Sequence, residues 1–368
     1  MKTIAAVCHE PKAPFSIEAV ELPEVGPGEV LVRIVATGLC HTDLGSRDGV
    51  LGQPFPSILG HEGAGVVDAV GVGVTKVAPG DHVVLAPMSD GTCAQCQSGA
   101  PMYCEAMPAL NLMAEPTGPV AMLSDGTGAR IKFFGQSSFA HHALAHERNT
   151  VKVAQDVPLE LLGPLACGIQ TGAGTVMNGL RPPAGSSIAI LGTGAVGLAA
   201  LMGAVVCGCA EIIAVDRVAS RLELARTLGA THIVDTSDGL DLAEALRSIV
   251  PAGVDYVIDS AGVAMLIAQA LGGMAKLGTL ALVAVPPPDR KLELPWFAML
   301  LNGQKVQGFV EGDSVPDIFI SRMIDLFRQG RFPFDKLIRT YEFEDINSAV
   351  EDARSGVTVK AVLKMNPL

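Results

Sequence analysis

The first 160 residues break into short apolar runs separated by Gly and Pro. Examples are EVLVRIVAT at Glu29–Thr37, GAGVVDAV at Gly63–Val70 and His82–Leu85, with turn signals at Pro27-Gly28 and Pro79-Gly80. That pattern predicts many short strands in an antiparallel, barrel-like arrangement. Leu159–Asn178 is helical in character and short of charge. From Ser187 the pattern changes. Apolar runs at Ser187–Leu191, Glu211–Val215, His232–Val234, Asp255–Ile258 and Thr279–Val285 alternate with Ala- and Leu-rich stretches of helical length. This is the signature of a parallel, doubly wound α/β sheet. After Asn302 charge returns, with helices expected at Pro316–Gln329 and Glu344–Ser355. Glu105–Lys132 is the longest irregular stretch and reads as a loop over a cleft.

A chain of 368 residues has room for about two domains. With 49% hydrophobic and 17% charged residues and a mean hydropathy of +0.40, it is a folded protein and not a solvating tail. The net charge of -12, with no run of Lys or Arg, argues against nucleic-acid binding. Ile188–Ala210 carries no charge over 23 residues, long enough to cross a bilayer. Its five glycines in a strand–turn–helix pattern make it a buried βα unit instead, so no membrane association is expected. Ile4–Cys8 is too short for a secretory signal and is followed by His9, Glu10 and Pro11. The expected location is therefore cytoplasmic. There the eight cysteines stay reduced and are read for metals before disulfides.

The sharpest motif is Gly192-Thr193-Gly194-Ala195-Val196-Gly197, directly after the run SIAIL. The first glycine allows a tight turn and the second lets the backbone approach a pyrophosphate. The third lets the helix pack on the strand, and that helix N-terminus holds the phosphates. Asp216 ends the next run, nineteen residues after Gly197, where a carboxylate accepts from the adenosine ribose hydroxyls and repels a 2′-phosphate. NAD is favoured over NADP on that ground.

Cys93 and Cys96, with Cys104 eight residues later, present three thiols to one tetrahedral zinc. Asp90, three residues before Cys93, is placed to close the site through oxygen; the alternatives are a metal-free thiol cluster, a redox pair, or an Asp90 that only caps a turn. A dispersed set, Cys40, His61 and Cys167, offers two thiols and one imidazole, the donor set of a catalytic zinc with its fourth position open. Cys8, Cys207 and Cys209 are expected to be buried thiols, and His141, His142 and His146 surface or strand-end groups.

GLCHTDL, ILGHEGAG, the cysteine cluster, PLACGIQTGAG and LGTGAVG together resemble the zinc-dependent medium-chain alcohol dehydrogenases over essentially the whole chain. RDG at Arg47–Gly49, FGQSSF at Phe134–Phe139 and EGDSVP at Glu311–Pro316 resemble the subgroup acting on aryl and allylic alcohols. The resemblance implies a GroES-like barrel over residues 1–168, completed by 310–368, and a Rossmann domain over 169–309. It implies zinc ligands at Cys40, His61 and Cys167, and a hydroxyl at Thr42 that contacts the alcohol. It also implies Asp43 behind His61, and Glu62 as an acidic neighbour of the metal. His41 would contact the pyrophosphate, Thr171 the nicotinamide and Arg221 the adenosine ribose. Gly45 stands where many members place a histidine that finishes a proton relay, so the relay would end through His41, Arg47 or water. The implied activity is NAD-dependent, reversible oxidation of an aryl or allylic primary alcohol to its aldehyde, by a homo-oligomer of two or four copies. The other readings are a zinc polyol dehydrogenase, which would carry Glu in place of Cys167, and a zinc-stabilised NAD(H)-binding protein without activity.

Overall fold

The computed structural model describes residues 1–112, 118–286 and 290–365. The chain divides into two compact units, Met1–Cys167 with Val315–Ile324 and Asp335–Leu368, and Gly168–Ser314 with Asp325–Phe334. The C-terminal stretch is thus shared between them. Residues 325–334 join the second unit, where Phe327 packs on Phe334 at 4.8 Å between ring centroids.

The first unit holds a closed barrel of five strands, Lys2–Cys8, Ser16–Glu21, Val120–Leu123, Gly128–Arg130 and Ser57–Ile58 in spatial order. A second sheet runs Thr150–Lys152, His82–Leu85, Gly63–Val70, Glu29–Leu39, Lys360–Lys364 and Ile338–Glu342, with His142–His146 also paired to Glu29–Leu39. Ala5, Val7, Phe15, Ile58, Phe139 and Phe343 belong to one buried cluster inside this unit. Two barrel strands, Val120–Leu123 and Gly128–Arg130, and the helix Met107–Asn111 lie within the stretch read as a loop. Strands of three and four residues beside a tight turn give too little periodicity to be read from sequence. The rest of that stretch includes residues 113–117, outside the described residues.

The second unit is a six-stranded parallel sheet in the order His232–Asp235, Glu211–Asp216, Ser187–Leu191, Val254–Asp259, Met274–Leu282 and Lys305–Gly308. The order reverses between Ser187–Leu191 and Val254–Asp259, which places a dinucleotide crevice at the carboxyl ends of those two strands. Ile188–Ala210 becomes the buried strand Ser187–Leu191 and the helix Ala195–Cys207, and no helix among the described residues is long and apolar enough to cross a membrane. The strand expected at Thr279–Val285 instead spans Met274–Leu282. It contains a bulge at which Leu277 adopts φ 65°.

The segment read as one helix from Leu159 is broken. It forms the helix Leu159–Leu162, a 3₁₀ turn Gly163–Ala166, the helix Gly168–Gly174 and a π-helical turn Thr175–Leu180. Pro164 and the non-helical backbone of Cys167 (φ −139°, ψ −100°) make the first break. His141 and His142 are buried, not at the surface, while His142 and His146 stand at the two ends of strand His142–His146 as expected. His142 Nδ1 bonds Thr3 Oγ at 3.0 Å while its Nε2 faces Asp68 at 3.3 Å, and the His141 ring meets Phe343 edge-on. Cys8 is fully buried, whereas Cys207 and Cys209 are only half-buried.

Candidate functional site

Strand Glu29–Leu39 runs into the short helix His41–Arg47, and Cys40 sits at the junction in extended conformation. Its N–H donates to Asp43 Oδ2 at 2.9 Å, a capping bond that fixes the thiol's direction. The other oxygen, Asp43 Oδ1, accepts from Gly60 N–H at 3.1 Å and from His61 Nδ1 at 2.9 Å. A carboxylate only accepts, so Nδ1 carries the proton and Nε2 is turned to the sulfurs, 3.2 Å from Cys167 Sγ. Cys40 Sγ and Cys167 Sγ are 3.9 Å apart. Two sulfurs at ~2.3 Å from one tetrahedral ion stand about 3.8 Å apart, so the three donors match a zinc site in type and spacing.

The Cys40 charge agrees with that reading, while the raised His61 pKa means that a metal ion would displace a proton from Nε2. A hydrogen bond with Cys167 holds the Cys40 thiol well below its ordinary value against the opposing effect of burial, with help from the Lys360 and His61 charges. Burial disfavours the His61 imidazolium, yet Asp43 and Cys40 together raise its pKa. Phe134, itself in left-handed backbone at φ 50°, stacks on His61 at 4.5 Å, and Phe133 closes its edge at 5.6 Å. Gln136 Nε2 donates to the carbonyl oxygens of His61 and Leu85, and its Oε1 accepts from Gly63 N–H. The FGQSSF run is therefore the buttress of the histidine. Nothing in its sequence alone points there.

A carboxylate oxygen of Glu62 also lies within 4.8 Å of the three donors. Lys360 Nζ holds it, donating to Oε1 at 2.7 Å and Oε2 at 3.0 Å, with both side chains buried. Lys360 reaches this place because strand Lys360–Lys364 pairs antiparallel with Glu29–Leu39, Ala361 opposite Leu39. Burial pushes the Glu62 pKa up while Lys360 resists it. Sequence reasoning missed Lys360, for no motif surrounds it. Thr42 Oγ lies 3.8 Å from Cys40 Sγ, and His41 is exposed at the start of its helix.

Asp90, Cys93, Cys96 and Cys104 bring four donor atoms within 4.8 Å of one another. Asp90 Oδ1 also accepts from Thr92 N–H at 2.6 Å and Cys93 N–H at 2.8 Å, and these bonds hold its pKa below the carboxylate range. The residue thus both caps the turn and faces the thiols. If it closes a metal site, the purified protein contains two zinc ions per subunit. Asp90→Ala should lose one and lower the thermal midpoint, while Asp90→Cys should keep both. Elemental analysis of unchelated protein reads this. One zinc per subunit, with Cys93, Cys96 and Cys104 all titrating as thiols, would exclude it.

In the second unit Gly192 takes φ 88°, and a Cβ on Gly197 would stand 1.8 Å from the Gly192 oxygen. Helix Ala195–Cys207 starts at Gly194 with no side-chain cap, and a Cβ on Gly194 would meet no atom within 4 Å. Uncapped N–H groups beside an open approach are what a pyrophosphate needs. Asp216 ends strand Glu211–Asp216. Its Oδ2 accepts from Thr193 N–H (2.6 Å) and Thr193 Oγ (2.7 Å), and its Oδ1 from Arg217 and Val218 N–H (2.7 and 3.0 Å). Burial opposes the charge, but these four donors hold the Asp216 pKa below its ordinary value. Arg221 lies half-buried in the first turn of helix Ala219–Thr227, and Thr171 Oγ donates to Glu311 at 3.2 Å.

Residues 26–155 match the alcohol dehydrogenase GroES-like domain and residues 195–329 the zinc-binding dehydrogenase domain. The chain is 42% identical to geraniol dehydrogenase of Castellaniella defragrans, over 98% of this chain and 96% of that one. It belongs to the zinc-binding alcohol dehydrogenase family. Among solved structures, benzyl alcohol dehydrogenase from Acinetobacter calcoaceticus matches with a TM-score of 0.94 at 43% identity, covering all of both chains. An alcohol dehydrogenase zinc-binding domain protein from Burkholderia ambifaria matches with a TM-score of 0.97 at 46% identity, also over all of both. As an alcohol dehydrogenase of this family, the chain has a GroES-like barrel in its first unit and a Rossmann sheet in its second.

Proposed function

We propose that this alcohol dehydrogenase oxidises aryl or allylic primary alcohols with NAD⁺, by the overall reaction RCH₂OH + NAD⁺ → RCHO + NADH + H⁺, and runs it in reverse. The observation that carries the reading is the Cys40–His61–Cys167 donor set, locked by Asp43, in a chain similar over nearly its full length to geraniol and benzyl alcohol dehydrogenases. When bound, zinc supplies a Lewis acid for the alcohol oxygen and NAD⁺ the hydride acceptor. Cys40, His61 and Cys167 hold the metal, while Asp43 keeps the proton on His61 Nδ1 so that Nε2 stays available. Thr42 Oγ would accept the hydroxyl proton of the alcohol as its own proton is released toward solvent. A side chain at Gly45 would meet no atom within 4 Å, so water reaches the place where many relatives put a histidine. His41 and the Gly192–Gly197 turn hold the pyrophosphate, Arg221 and Asp216 the adenosine ribose, and Thr171 the nicotinamide. Asp90, Cys93, Cys96 and Cys104 hold a structural zinc.

Benzyl, cinnamyl, geranyl, ethyl and sorbitol substrates, followed by NADH absorbance, test this. Benzyl, cinnamyl or geranyl alcohol should exceed ethanol in kcat/KM. A preference for sorbitol would move the chain to the polyol dehydrogenases, and no turnover with any of the five to a binding protein. NAD⁺ is expected over NADP⁺. Asp216 rejects a 2′-phosphate by charge, which its lowered pKa preserves at neutral pH. Asp216→Ser should bring the two cofactors to within about tenfold of each other in kcat/KM; equal use by the unmutated enzyme would rule the role out.

We also propose a homo-oligomer, in a cytoplasmic, reducing setting that suits eight cysteines with no disulfide among them. Strand Lys305–Gly308 ends the Rossmann sheet among the described residues. Helix Trp296–Asn302 exposes Trp296 (80%), Phe297 (67%), Leu300 (70%) and Leu301 (66%). An open sheet edge beside so much exposed apolar surface suits a second copy of the chain.

A further inference from the structure

The loop leaving the last Rossmann strand, Lys305–Gly308, passes through three successive left-handed residues, Glu311 (φ 49°), Gly312 (φ 65°) and Asp313 (φ 51°). Side chains resist this backbone, and it persists only where the surroundings over-determine it. Here they do. Glu311 Oε2 accepts from Gln170 Nε2 at 3.0 Å and from Thr171 Oγ at 3.2 Å, and Asn178 Nδ2 donates to the Gly312 carbonyl at 3.3 Å. A Cβ on Gly312 would stand 2.3 Å from the Gln170 oxygen. The strained loop therefore holds one particular thing in place, the Glu311 carboxylate.

Its position follows from the packing of helix Gly168–Gly174, which carries Gln170 and Thr171. A Cβ on Gly172 would lie 1.9 Å from the carbonyl oxygen of Val196, so this helix rests on the first turn of the pyrophosphate helix. Asp216 marks the adenosine half of the crevice, on the Glu211–Asp216 side of strand Ser187–Leu191. The second mononucleotide then lies on the other side, at the carboxyl ends of Val254–Asp259, Met274–Leu282 and Lys305–Gly308, where the Glu311 loop begins. Asp259, the carboxylate ending the first of these strands, is buried and turned to the N–H groups of Ala261 and Gly262.

The nicotinamide ring is a cation when oxidised and neutral when reduced. A carboxylate fixed beside its subsite attracts the first form and gains nothing from the second. We infer that Glu311 is a specificity-determining residue that makes this site favour the oxidised nicotinamide over the reduced one. The inference rests on the NAD-dependent reading above. It tilts the enzyme-bound equilibrium toward the oxidised cofactor, while the overall equilibrium in solution is untouched.

Separate calorimetric titrations of the zinc-loaded enzyme with NAD⁺ and with NADH test it. Glu311→Gln keeps the shape and the contacts to Gln170 and Thr171 but removes the charge. It should weaken NAD⁺ about tenfold, the equivalent of about 1.4 kcal/mol, and leave NADH within about twofold. Glu311→Asn gives the same readout with a residue that accepts left-handed backbone, should the glutamine variant fold poorly. A loop that served only to shape the site would change both affinities by one factor, and that result, or no change in either, overturns the inference. If the unmutated enzyme binds neither NAD⁺ nor NADH, the reading that fails is the NAD-dependent one.

Discussion

Cys167→Ala should lower kcat/KM for alcohol oxidation by about a thousandfold or more, and one zinc per subunit should be lost with it. The thiol stands 3.2 Å from His61 Nε2 and 3.9 Å from Cys40 Sγ, so its removal opens the donor triangle at one corner. The hydrogen bond that holds the Cys40 thiol low disappears as well. NADH binding should survive, because the Gly192–Gly197 turn and Asp216 belong to the other compact unit and share no residue with this site. The pair of readouts separates metal chemistry from a collapsed fold. Activity above about a tenth of the unmutated enzyme would count against zinc-assisted hydride transfer, in which polarisation by the metal is worth several kcal/mol.

Lys360→Met should destabilise the first unit by about 3–5 kcal/mol, because it strands the Glu62 carboxylate in a buried place without its counter-ion. The methionine fills similar volume, so lost packing is a small part of the effect. Lys360 donates to both oxygens of Glu62 and to the Leu39 carbonyl at 3.3 Å, and no other hydrogen bond reaches that carboxylate's oxygens among the described residues. Adding Glu62→Gln to Lys360→Met should recover most of the loss, since an amide costs far less to bury than a charge. Denaturant unfolding of the single and double variants measures the coupling. A single variant as stable as the parent would show that the pair contributes nothing to the fold.

The chemistry-bearing residues were legible in the sequence because each is named by its own type and by near neighbours. The spacing of Cys93, Cys96 and Cys104, and the glycines of Gly192–Gly197 followed by Asp216, are local patterns. Period and punctuation did the same for the strands, and Gly63–Val70, His82–Leu85 and Ser187–Leu191 form where the pattern places them. Cys40, His61 and Cys167 were also legible, grouped first by donor type and then by the family's order of motifs. Their convergence across 127 residues depends on a strand-to-helix junction at Cys40 and a broken helix at Cys167. Only the tertiary structure decided the rest. Lys360 meets Glu62 over a separation of 298 residues through one antiparallel register, and Glu311 meets Thr171 over 140 through a strained loop. Phe134 reaches His61 by a left-handed turn. No local pattern encodes such meetings, because a side chain's type states what it can bond with, while its neighbour is set by sheet register and by backbone conformations that sequence-local preferences disfavour.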